Sequence, residues 1–188
     1  MRWQLLEYGG VGSGDVAVRG TGALAPGVPV VVETVLLGVV DARLTFRVRS
    51  RRLGDGGHPD VLARSLAEFD QAGPDGSGAK GGLLHSTSWR FRADEVVLTY
   101  AALPDPDPAG AVLLPFDVRP VTGGDPLRPS PDRVGLTQVV VHACRHLAWL
   151  RQTDPVVAAV LRDLPELAAL IDRYRPAVAG LLVQPVPA

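Results

Sequence analysis

The amino-acid sequence predicts an α+β fold in a single domain: a mostly antiparallel sheet of hairpins, one helix between the hairpins, and a C-terminal group of three helices. Three observations carry the prediction. Apolar and polar residues alternate through two segments that fold back on themselves, 28–52 and 83–103. Between them, 59–73 shows apolar residues at helical spacing, and that spacing returns from residue 133 onward. No internal repeat and no second apolar core divides the 188 residues, a length that buries on the order of two-thirds of its unfolded surface as one unit.

Taken in order, RWQLLEY at 2–8 is the first expected strand, and DVAVRG at 15–20 a short second one after the glycine-rich GGVGSG. The clearest pair is 28–40 with 43–52, turning at Asp41–Ala42. Folding there sets Leu44, Phe46 and Val48 against Val39, Leu37 and Val35, so both strands bury one face and the register supports itself. The other face carries Arg47 and Arg49. In PDVLARSLAEFDQAG, 59–73, a stripe of Val61, Leu62, Ser65, Leu66 and Phe69 marks a helix, with Pro59 suited to its first turn and Gly73 to its stop. GPDGSGAKGG, 73–82, has five glycines in ten residues and reads as a loop. The second hairpin turns at Ala93–Asp94. There His85, Thr87, Trp89 and Phe91 are expected to share a face with Ala102, Tyr100, Leu98 and Val96, opposite a face of Ser86, Ser88, Arg90 and Arg92.

Residues 1–103 are thus sheet plus one helix. Residues 104–132 carry eight prolines and no period, an extended connection over the surface. Residues 133–176 are helical, in segments 133–152, 155–164 and 165–175; the last two open on Pro155 and Pro165 with Asp154 and Asp163 placed to cap. Residues 177–188 form an apolar tail.

Composition narrows the function classes. A hydrophobic share of 46% and a charged share of 21% belong to an ordinary globular protein, and a net charge of −1 gives no global attraction to nucleic acid or to an acidic membrane. One cysteine forms no internal disulfide. The longest apolar run, VPVVVETVLLGVV, is broken by Glu33 and too short to span a bilayer. The N-terminus lacks the apolar core and cleavage site of a secretory signal. These features read as a soluble cytoplasmic protein without a membrane partner.

The stretch VVVHACRHLAWL, 139–150, offers the one metal candidate. Residues four apart lie about 40° apart on a helix, so His142 and His146 can reach one divalent metal, with His85, Glu33 or another carboxylate as third ligand. Leu136, Val139, Val140, Ala143, Leu147 and Leu150 define the buried face of that helix. His146 falls on its edge and His142 further round, beside Trp149 and Gln138. No glutamate follows His142, so the HExxH pattern of zinc proteases fails at its base. Cys144 points to the buried face, as an inert small side chain would. No other cofactor is implied.

His85, Thr87 and Tyr100 are expected on one face beside the glycine loop, at the edge of a pocket. Arg47, Arg49, Arg90 and Arg92 line the polar faces of the two hairpins. If the hairpins adjoin, these forks form a cationic surface for phosphate or carboxylate groups. That surface has no aromatics for base stacking, which argues against single-stranded nucleic acid. GPDGSGAKGG lacks the adjacent G-K-[ST] and leads into a strand, so no phosphate loop forms there. HSTSW matches the H-x-T element of two-histidine phosphoesterases, but HACRHL is not the second copy such enzymes need.

VPVVVETVLLGVVDARLTFRVRSRR, then a helix, then a strand ending VVLTYAALPD resembles the core of a Nudix hydrolase over about residues 28–103. The family's metal-binding box, laid on the chain with Gly73 as its last glycine, puts Leu66 at the arginine and Ala67 at the first glutamate. The paired glutamates fall on Asp70 and Gln71, and the upstream loop is shortened to LGDGGHPD. The resemblance therefore implies a Nudix-like fold without a working magnesium site.

Every catalytic pattern lacks a residue its chemistry requires, so the sequence points away from an enzyme. The leading expectation is a non-catalytic domain that binds a small anionic ligand or a protein partner. The alternative is a metal-dependent hydrolase using the histidines. A third class, a self-associating protein, is suggested by the Pro-rich wrap and the tail AVAGLLVQPVPA, and would show itself as a contiguous exposed apolar patch.

Overall fold

The computed structural model of the chain describes residues 27–69, 82–121, 131 and 133–178. The fold is α+β. Strands β1 (Val30–Val40), β2 (Arg43–Arg52), β3 (Leu83–Arg92), β4 (Glu95–Leu103) and β5 (Val112–Leu113) form one sheet in the order β3-β4-β1-β2-β5. Helix α1 (Pro59–Ala67) joins the two hairpins, and α2 (Leu136–Thr153), α3 (Pro155–Arg162) and α4 (Pro165–Ile171) follow the sheet. The strands expected at 2–8 and 15–20, the glycine loop at 73–81, most of the Pro-rich stretch beyond Val121, and the tail from residue 179 lie outside the described residues.

The first hairpin holds the expected register: Val35 faces Val48, Leu37 faces Phe46 and Val39 faces Leu44. Its two-residue turn uses Asp41 and Ala42 at φ 50° and 55°, and the second hairpin uses Ala93 and Asp94 at 45° and 66°. Both have the left-handed backbone whose twist suits paired strands. The hairpins meet through β1 and β4, which run parallel, so a sheet built of antiparallel hairpins has a parallel seam at its centre.

Each face of the sheet is covered differently. Val35, Leu37, Leu44, Phe46, Ala101 and Leu103 pack against α2–α4 in one large core with Val140, Leu147, Leu161 and Ile171. Among the described residues the other face carries only α1, whose Ala63 and Leu66 sit on Val32 and Tyr100, and whose Ala67 sits with Leu36 and Ala102. β1 is buried on both faces, which explains why its sequence is a near-continuous apolar run rather than an alternation.

Four expectations are corrected. Helix α1 stops at Ala67 because Glu68 turns left-handed at φ 60°, its N–H bonding back to Ser65 O, so the helix ends well before Gly73. Its buried stripe is Ala63, Leu66 and Ala67, while Val61 is 67% exposed. Asp154 caps α3 by accepting from Val156 N at 2.8 Å and Val157 N at 3.1 Å, but Asp163 gives no cap to α4. On α2 the buried face is wider than expected, including Val141, Arg145 and Ala148, and Leu136 at its start is exposed, while Cys144 is buried as expected.

The fourth is the register of the second hairpin. Arg92 through Ser88 pair with Glu95 through Thr99 as expected, then Thr87 is an extra residue, and Ser86 pairs with Tyr100 and His85 with Ala101. A one-residue bulge moves every side chain beyond it to the opposite face. Trp89 and Phe91 therefore lie on the α1 face with Leu98 and Val96, whereas His85 lies with Ala101 on the face of α2.

Candidate functional site

The α1 face carries a pocket whose walls follow from local sequence. His58 caps α1 in extended backbone, its Nδ1 accepting from Asp60 N at 3.3 Å, and Pro59 starts the first turn. That geometry sets Asp60 and, one turn on, Arg64 on the side of α1 that overlooks β3 and β4. Tyr100 projects from β4 and donates its hydroxyl to Asp60 Oδ1 at 2.5 Å. Burial of the ring and then the bond to Asp60 push the Tyr100 pKa up, so the hydroxyl remains a donor at any physiological pH. The pocket, about 440 Å³, is lined by Asp60, Val61 and Arg64 of α1 and by Leu84, Ser86 and Tyr100 of the sheet, with His85 at its border. Its size falls in the range of ligand pockets, about 300–1,000 Å³.

Beside the pocket, on the same strand and the same face, α1 no longer reaches over the sheet. Trp89 is 60% and Phe91 67% exposed, their rings edge to face at 5.8 Å and 83°. β3 is an outer strand of the sheet, so its far backbone edge is unpaired within the described residues. A ten-residue outer strand bearing two exposed aromatics is an invitation to pairing that most folds suppress.

On the other face three histidines gather where α2 crosses β3. His85 stacks on His146 with centroids 5.4 Å apart and planes at 23°, and His146 lies 5.8 Å from the ring of Trp149. His146 Nδ1 is buried without a hydrogen-bond partner. Desolvation, helped by His85 and His142, pushes the His146 pKa down to about 4; desolvation and Arg145 lower His142, and desolvation outweighs Asp154 in lowering His85. All three are therefore neutral at pH 7. The structure thus brings together the His142, His146 and His85 of the metal reading. Among the described residues, however, no group of three or more His, Cys, Asp or Glu side chains is arranged to hold a metal ion. Nor is Glu33 free to be a ligand, since it accepts from Arg90 at 2.8 Å and from Thr99 at 3.2 Å.

The expected triplet of His85, Thr87 and Tyr100 is dispersed by the bulge: Tyr100 faces the pocket, His85 stacks under α2, and Thr87 donates to Thr99 O at 3.2 Å inside the sheet. The arginines are divided as well. Arg47 and Arg49 are on β2 and Arg90 and Arg92 on β3, with β4 and β1 between the two strands. Each has an acidic partner. Arg47 grips the fully buried Asp105 with Nε and Nη2, and that bond raises its pKa; Asp107 lies 3.6 Å away. Arg49 meets Glu68, Arg90 meets Glu33 and Thr99, and Arg92 lies 3.8 Å from Glu95.

Sequence reading missed Asp60, Arg64 and Ser86, which only tertiary contact makes neighbours. It also missed the Glu33–Arg90 pair, although a lone glutamate inside an apolar strand signals a buried partner. Arg145 was missed too: it is 7% exposed, donates Nε to Arg175 O at 3.0 Å, and has no carboxylate partner among the described residues. Cys144 is fully buried, with its thiol pKa pushed up by that burial, and so is inert. At the positions of the Nudix-like box, Leu66 and Ala67 are buried on the inner side of α1, and Asp70 and Gln71 lie outside the described residues. No known family model and no curated protein matches this sequence.

Proposed function

We propose that this chain is a non-catalytic binding domain that takes an extended segment of a protein partner onto the outer edge of β3, with one side chain of that segment entering the α1 pocket. The observation that carries the reading is the Trp89–Phe91 pair, 60% and 67% exposed on an outer strand whose far edge is unpaired within the described residues. Strand addition supplies affinity through main-chain hydrogen bonds and selectivity through pockets for alternate side chains. The groove between β3 and α1 provides both, and exposed tryptophan is the residue type that anchors such contacts most strongly. The three histidines lie on the opposite face, and Arg47, Arg49, Arg90 and Arg92 are each paired with a carboxylate. A Nudix-like descent fits this reading as a fold without its box.

Panning of a random peptide library against the wild-type domain and against W89S/F91S tests it. Peptides with alternating apolar residues are expected to enrich on the wild type, to be lost on the variant, and to slow amide exchange at residues 84–91. Peptides that bind the variant equally well, or no enrichment at all, would overturn the proposal.

The small-anion reading has one observation of its own, Arg145 buried beside Arg175 with no carboxylate partner among the described residues. A phosphate or carboxylate held there should raise the melting temperature of the wild type and leave R145M unchanged. Equal response of both proteins removes that reading.

A further inference from the structure

We infer that the segment received by β3 is β3 of a second copy of this chain, and that each copy inserts its Trp89 into the other copy's α1 pocket. The inference rests on the strand-addition reading above and names its partner. It starts from the bulge. Cross-strand partners in the sheet show that Leu84, Ser86, Trp89 and Phe91 point to the α1 face, while Leu83, His85, Ser88, Arg90 and Arg92 point to the α2 face. In an antiparallel pair, residues directly opposite share a face. A two-fold axis between Thr87 and Ser88 puts Leu84 opposite Phe91, His85 opposite Arg90, Ser86 opposite Trp89 and Leu83 opposite Arg92 of the other copy. Every one of those pairs agrees in face. Moving the axis by half a residue either way sets an α1-facing side chain against an α2-facing one, because the parity changes at the bulge. The strand is thus self-complementary about this axis.

What that register brings together is the second argument. The indole of one copy lies opposite Ser86, on the wall of the pocket formed with Tyr100, Val61, Asp60 and Arg64. The Asp60 carboxylate is an acceptor for the indole N–H, and the Arg64 side chain lies beside the ring face. Phe91 meets Leu84, which packs with Ala102 and Ala67 and so continues an apolar cluster already present. On the α2 face the nearest charges to the axis are Arg90, held by Glu33, and His85, held neutral beside His146; no two cations stand directly opposed. By symmetry the contact covers four aromatic rings, each worth on the order of 150–250 Å² when fully buried and still open over 60% (Trp89) or 67% (Phe91) of its surface. With ten-residue strands beneath them, the interface reaches the roughly 1,000 Å² that a specific association needs.

Sedimentation equilibrium on the full chain from about 1 to 200 μM tests this, a range that brackets micromolar association. A dimer is expected, with W89S and V61E each weakening it by about tenfold or more. Val156, 66% exposed on α3, is the control: V156S should leave association unchanged. Melting curves identify any variant that has lost its fold, and V61E, on an exposed helix position outside β3, keeps the test independent of strand damage. A wild type that is monomeric throughout, or a dimer indifferent to W89S and V61E, would refute the second copy as partner. If the monomer still enriches extended peptides on β3, strand addition survives with a different occupant; if it enriches none, both fall.

Discussion

The two faces of the sheet come from the same four long strands but reach different ends. On the α2 face, three helices close over the strands and bury Leu37, Leu44, Leu103, Leu147 and Ile171 to 1% exposure or less. On the α1 face, among the described residues, a nine-residue helix covers only the middle, beside a pocket and two exposed aromatics. The lesson is that a sheet face is completed by the length of chain laid on it rather than by its own apolarity. The closed face provides stability, and the open one is where binding energy remains unspent.

The comparison can be broken or sharpened by a graded series of changes. The largest effect should come from the closed face. E33A leaves the Arg90 guanidinium, 17% exposed, without its carboxylate, and should cost about 3–5 kcal/mol in urea denaturation. L147A, at a position with no exposure, should cost about 2–5 kcal/mol by the same measurement. If L66A under α1 costs as much as L147A, the two faces are equally built and the contrast drawn above is wrong. The expected cost is nearer about 2 kcal/mol, since the smaller cluster around Leu66 has solvent close by and collapses more easily.

The histidine cluster gives the next effect, as a dependence on pH. His85, His142 and His146 all have folded pKa values below the ordinary 6.5, that of His146 reaching about 4. The unfolded chain then binds protons that the folded chain refuses between those values. Stability is thus fully present above about pH 6.5 and is lost as the pH falls toward 4. Denaturation midpoints at pH 7.5 and pH 5 should differ in that sense, and H146Q should flatten the difference. A midpoint that rises on acidification would mean the cluster is charged in the fold.

Removing the α3 cap comes lower still: D154A should cost about 1 kcal/mol, seen as a shift in the denaturation midpoint. The smallest stability effect belongs to the open face. W89S and F91S, so exposed, should change folding stability of the isolated chain by no more than about 0.5 kcal/mol, although they are the substitutions expected to abolish binding. A large loss of stability from either would show that the pair is structural after all.

Much of the fold was legible in the sequence because it is set by local rules. The period of two in RLTFRVRSR, the turn at Asp41–Ala42 and the register of Phe46 on Leu37 depend only on neighbours along the chain. Pro155 after Asp154 starts a helix for the same reason. The candidate site was legible only in part. Tyr100 and His85 were marked as pocket residues and do border one, but the grouping with Thr87 failed, and the arginines expected to form one cationic face are separated and individually neutralised.

By itself, then, the sequence determined the two hairpins at 28–52 and 83–103, the helix between them and the helices that follow, and the alternation within the first hairpin, since those depend on backbone sterics and spacing over a few residues. Only the tertiary structure decided the parallel seam between β1 and β4, the bulge at Thr87, and the burial of Asp105 against Arg47. Strand order joins residues far apart in the chain, which periodicity does not encode. A single inserted residue reverses the facing of all that lie beyond it. That reversal left Trp89 on the face of Leu98 beside the α1 pocket and turned His85 beneath α2.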